Sequence, residues 1–148
     1  MTVFPGEEVI ASDINAPASA WATFTPSWVS STNPAIGNGT ILGRYKAIGK
    51  TTLFNIEITW GSTTTGGAGT WLVGLPVIPA IATSPGQAFS AHAIDASAST
   101  RYVLGCELDN ANRVRLFNSG TANFATATVP MTWATSDILR ISGTYESA

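Results

Sequence analysis

The chain has almost no reactive side chains. Among its 148 residues there is one histidine, His92, and one cysteine, Cys106, and charged residues make up 11%. A lone cysteine excludes an intrachain disulfide framework, so folding does not depend on oxidation. The formal net charge of −2 gives no basic stripe, which argues against a nucleic-acid partner. No apolar run approaches the roughly 20 residues of a membrane-spanning helix. The first residues carry Glu7, Glu8 and Asp13 and lack the basic start and long apolar stretch of a secretory signal. Residues 61–69 (GSTTTGGAG) are rich in glycine but precede a strand and have no Lys-Ser/Thr pair after them, so they make no phosphate loop.

What is present is apolar and patterned for strands. Hydrophobic residues make up 45% and mean hydropathy is +0.21. So few charges leave a surface that is either Ser/Thr-rich or partly buried against other subunits. Residues 51–60 hold the clearest strand. Phe54, Ile56, Ile58 and Trp60 alternate with Asn55, Glu57 and Thr59, the period of two that makes one apolar and one polar face. Residues 40–48 form its hairpin partner, with Arg44 and Lys46 on the polar face and a turn at Gly49-Lys50. Further strands are read at 21–29 (interrupted by Pro26), 70–75, 87–95, 101–108, 113–118, 121–129 and 138–145, and residues 61–69 as an exposed loop. About eight strands at roughly 8–12-residue spacing, with no amphipathic helix, predict an all-β antiparallel jelly-roll-like β-sandwich. Residues 1–20 read as an N-terminal arm and linker, and residues 21–148 as the sandwich domain.

Few residues offer chemistry. His92 stands in a strand with no serine–acid spacing around it and reads as structural. Cys106 lies on an apolar strand face and reads as a small buried hydrophobe. Glu107, Asp109, Asn110 and Asn112 lack the ligand count and closing acid of a calcium loop, and a hairpin turn explains them. Asp95 and Glu57 have no spacing that makes them a glycosidase pair. The reading is therefore no enzyme, no catalytic residue, no metal and no cofactor. Arg44, Lys46 and Lys50 read as solvated charges that discourage edge pairing. Of the five tryptophans, Trp60 and Trp71 keep the strand period and read as core. Trp28 and Trp133, at strand ends beside loops, are the candidate surface aromatics for a ligand or an interface.

The order of motifs carries a resemblance. The runs WATFTPSW (21–28), GNGTILGRYKAIGK (37–50), GSTTTGGAG with Trp71, and WATSDILRISGTYE (133–146) resemble the β-sandwich domains of tailed-bacteriophage virion proteins: minor tail, tail-fibre and head-fibre or capsid-decoration proteins. The segment FPGEEVIASDIN (4–15) is similar to the short N-terminal motif that opens such proteins. The resemblance covers most of the chain. It implies a structural homotrimer on the virion surface, made in the host cytoplasm and held to capsid or tail proteins by its arm, through Val3, Phe4, Val9, Ile10 and Ile14. A single sandwich after the arm favours a small decoration protein or short fibre over a long fibre. The alternative is a receptor- or carbohydrate-binding module at the tail tip that holds a host cell-surface glycan.

Overall fold

The computed structural model describes residues 20–80, 87–109, 112–121 and 123–148. Nine strands follow in chain order: β1 (Ala22–Phe24), β2 (Trp28–Val29), β3 (Thr40–Ile48), β4 (Thr51–Thr59), β5 (Leu72–Gly74), β6 (Ala88–Asp95), β7 (Thr100–Leu108), β8 (Arg113–Asn118) and β9 (Ile138–Glu146). All pair antiparallel in one sheet of order β1-β3-β4-β9-β6-β7-β8-β5-β2. No helix occurs among the described residues. The all-β, sandwich-like architecture read from the sequence is therefore the one observed. It is one continuous sheet curled over a core, where a sandwich has two separate sheets.

The reason for the curl is in the chain between β1 and β2. These strands occupy opposite edges of the sheet, yet only Thr25, Pro26 and Ser27 separate them. Four Cα steps reach at most about 14 Å, whereas nine strands laid flat put the edges about 38 Å apart. The sheet must bend until its edges come within that reach. Pro26 suits this corner because it has no N–H for a ladder. Beside it, the Gly74 N–H donates to the Ser27 carbonyl at 2.8 Å.

Period-two alternation fills the inside. Ile56, Ile141, Ala91 and Leu104 stand opposite one another across β4, β9, β6 and β7, and all four are buried. Val73, Val114 and Leu116 close the far side. The β3–β4 hairpin has the register expected, and Gly49 in its turn adopts φ +58°, a conformation that favours glycine. Phe54, Phe89 and Tyr145 form one aromatic cluster, in which Phe54 and Phe89 pack against the bare Cα of Gly143. The Tyr145 hydroxyl donates to the Val77 carbonyl at 2.8 Å and accepts from the Val77 N–H at 3.1 Å, which fixes the segment after β5.

Three local expectations are corrected. The described residues of 121–129 form no strand and make only single bridges, Phe117 to Phe124 and Thr126 to Val129. Residues 61–69 are not a free loop. They pair with residues 32–38 through bridges Thr32–Ala68 and Ala35–Thr65, and through Asn38, whose Oδ1 accepts from the Thr63 N–H at 2.9 Å. The span 21–29 is two strands on opposite sheet edges, not one.

Candidate functional site

A groove crosses four strands of the outer face. The outward residues of β3, β4, β9, β6 and β7 fall into transverse rows because each strand is in register with the next. One row runs Leu42–Glu57–Arg140–His92–Val103. The next runs Arg44–Asn55–Ser142–Ser90–Gly105. The second row has short side chains at its centre, so the surface dips there into a groove of about 410 Å³. Leu42 and Arg44 form its wall on β3, and His92 lines its far side on β6. Beyond that wall lies a second hollow of about 480 Å³, lined by Thr23, Thr25 and Phe24.

The groove mixes charge with exposed apolar surface. Glu57 and Arg140 face each other on neighbouring strands, with Arg140 Nε donating to Glu57 Oε2 at 2.7 Å. Arg44 has no carboxylate partner among the described residues, and its guanidinium lies 5.7 Å from the Trp21 ring centre. Leu42 and Val103, at the two ends of the first row, are 61% and 70% exposed. A large apolar side chain kept in water at both ends of one row is a surface suited to contact.

The residues singled out from the sequence are dispersed. Trp28 and Trp133, expected at the surface, are each only 9% exposed and belong to the core. The curled sheet brings Trp28 of β2 and Trp133 of the irregular segment before β9 onto Trp60 and Trp71, forming a four-tryptophan cluster with neighbouring ring centres 4.4–5.4 Å apart. The indole N–H of Trp71 donates to the Gly66 carbonyl at 2.7 Å, and that of Trp133 to the Thr126 carbonyl at 3.1 Å. Val3, Phe4, Val9, Ile10 and Ile14 lie outside the described residues.

The other candidates have structural partners. Cys106 is buried beside Glu107, and burial first, then that carboxylate, pushes its thiol up to about 12. It is a protonated core group rather than a nucleophile. Glu107 pairs with Arg115 at 2.7 Å, and Arg115 in turn lies over the Phe124 ring at 4.5 Å. Asp95 accepts from the Ala98 N–H and the Ser97 hydroxyl in the β6–β7 turn, which hold its carboxyl below the usual range. Among the described residues no three of His, Cys, Asp and Glu converge as a metal site would require.

Sequence reasoning missed two things. The first is the groove itself: Asn55, Ser90, Arg140 and Ser142 look like ordinary polar positions until the strand order β4-β9-β6 is known. The second is Asp137, a buried carboxylate that accepts from the Ala96 and Ala134 N–H groups at 2.9 and 2.7 Å and so ties the β6–β7 turn to the segment before β9. No protein-family model, curated protein or solved structure matches the chain.

Proposed function

We propose that this protein is a structural component of a bacteriophage virion, a small surface protein of the capsid or a short tail. It assembles as a homotrimer and is anchored by its N-terminal residues. The observation that carries this reading is the outer face. It combines a sparse set of charges with Leu42 and Val103 standing well exposed in one row, a surface made for subunit contact rather than for chemistry. The motif order of the sequence points the same way. Attachment then draws on apolar burial by Val3, Phe4, Val9, Ile10 and Ile14, each worth roughly 1.5–3 kcal/mol when fully buried, and on avidity across three chains.

Two measurements test it. Light scattering at micromolar concentration gives about three times the chain mass of 15.4 kDa, and a monomer over a wide concentration range contradicts the assembly. Immunogold electron microscopy of phage particles with an antibody against this chain places gold on capsid or tail. Particles without gold overturn the function.

A second reading, binding of a host cell-surface glycan, is favoured by one place. Trp21 is 38% exposed with the Arg44 guanidinium 5.7 Å from its ring centre, and Arg44 in turn lines the hollow together with Thr23 and Thr25. An aromatic face next to hydroxyl and guanidinium donors suits a sugar ring. A glycan array probed with the protein separates this reading from a purely structural one.

A further inference from the structure

Charge is segregated along this chain in a way that matches the outer groove. Three of the nine acidic residues, Glu7, Glu8 and Asp13, fall within residues 1–19, and none of the seven Lys and Arg residues does. The first basic residue is Arg44. Residues 20–148 therefore carry a formal net charge of +1 and the arm −3 by side chains alone. In the arm the acids stand beside large apolar residues: Glu7 and Glu8 precede Val9 and Ile10, and Asp13 precedes Ile14. The groove has the complementary composition. Arg44 has no carboxylate partner among the described residues, whereas Arg140 further across the groove is already paired with Glu57, so the uncompensated charge of the groove is that of Arg44. Leu42 on its wall offers exposed apolar surface.

We propose that residues 1–19 dock along the outer-face groove of their own chain, with the Glu7-Glu8 carboxylates on Arg44 and Val9 and Ile10 against Leu42. The arm is already tethered at the right place. The chain enters the described structure at residue 20, two residues before Ala22, and Ala22 pairs with Tyr45, the neighbour of Arg44. Nineteen residues reach up to about 65 Å, and the width from β3 to β6 is about 14 Å, so the arm spans the groove without help from another copy. A short tether gives a local concentration on the order of millimolar, which favours docking in the same chain over docking on a neighbour. This docking requires no virion; because it uses Val9, Ile10 and Leu42, it is the state of the free chain, and the arm leaves the groove when it attaches.

The test uses the full chain with a nitroxide on Ala11→Cys. Cys106 is buried and stays a thiol, so the label goes to the arm. The amide signals of Ser90, His92 and Ser142 in the 15N spectrum are expected to broaden strongly. The broadening is expected to disappear with Arg44→Glu, and in about 1 M salt, where the Debye length is about 3 Å. A mixture of spin-labelled unenriched chain with unlabelled 15N chain is expected to show none. Sharp groove signals in the labelled chain overturn the proposal. So does broadening that survives both Arg44→Glu and high salt, or broadening that appears in the mixed sample, which would mean the arm docks on another copy. The Arg44→Glu spectrum must keep native dispersion; if it does not, the salt titration on the unaltered sequence decides.

Discussion

Trp60 stacks on Trp133 with ring centres 4.4 Å apart and planes inclined by 21°. Trp60 ends the clearest strand of the sequence and Trp133 stands in an irregular segment 73 residues later. Their contact shows how the core of this fold is made. The Asp137 carbonyl accepts the Trp60 N–H at 2.9 Å, so the backbone before β9 is held where its tryptophan meets the end of β4.

Trp60→Ala should be among the most damaging substitutions. It removes a ring that touches Trp28, Trp71 and Trp133, and truncating a buried aromatic costs about 3–5 kcal/mol. Thermal unfolding by circular dichroism is expected to show a large fall in Tm or loss of the folded protein. A shift of a degree or two would refute the placement of this cluster in the core.

Trp71→Phe and Trp28→Phe should differ although both rings are buried. The Trp71 indole N–H donates to the Gly66 carbonyl, whereas Trp28 Nε1 has no hydrogen-bond partner among the described residues. Losing the Trp71 bond adds about 1–3 kcal/mol for a polar group left unpaired. Urea unfolding of the two variants should therefore rank Trp71→Phe as the less stable. The reverse order would rule out this hydrogen bond as the distinguishing contact.

Gly67→Ala should strain the pairing of residues 32–38 with 61–69. Gly67 has φ +63°, and a Cβ placed there would meet the Thr32 carbonyl oxygen at 2.0 Å. That oxygen accepts from the Ala68 N–H, so neither partner can retreat without breaking the bridge. Gly49→Ala is the control, because its φ is also positive but nothing lies within 4 Å. The control is expected to cost about 1 kcal/mol and Gly67→Ala distinctly more, by chemical denaturation. Equal costs would mean the loops are not packed as described.

Stability should fall in alkali. Burial raises the Cys106 thiol from 9.0 to about 12 and raises the Tyr145 phenol as well. In both cases the folded protein keeps a proton that the unfolded chain releases. The contribution from Cys106 is therefore full below about pH 9 and is lost as pH rises toward about 12. The urea midpoint is expected to drop between about pH 8 and pH 10.5, and less so in Cys106→Ala measured against its own pH 8 value. A flat midpoint would contradict the burial of these groups.

Glu57→Gln should matter little to stability. The Glu57–Arg140 pair is short, but both side chains are substantially exposed, and such pairs contribute about 0.2–1 kcal/mol. A loss of several kcal/mol would contradict the solvent exposure of this pair in the folded chain.

The sequence by itself determined what alternation can determine. Period two in 51–60 settles which side of β4 is core, and the turn at Gly49 settles its pairing with β3, because both are contacts between near neighbours in the chain. The same logic correctly puts Trp71 and Cys106 inside. Only the tertiary structure decided the rest. Trp28 and Trp133 look exposed because no local period covers them; they are buried because the sheet curls and places them on Trp60 and Trp71. The outer groove exists because β9 lies between β4 and β6, a pairing that joins residues up to 95 positions apart, Thr51 and Glu146. Residues 121–129 fail as a strand although their composition suits one, since described residues there find only single bridges rather than a ladder. Alternation is written in each strand, whereas strand order depends on which apolar faces can be buried together, and that is a property of the whole chain.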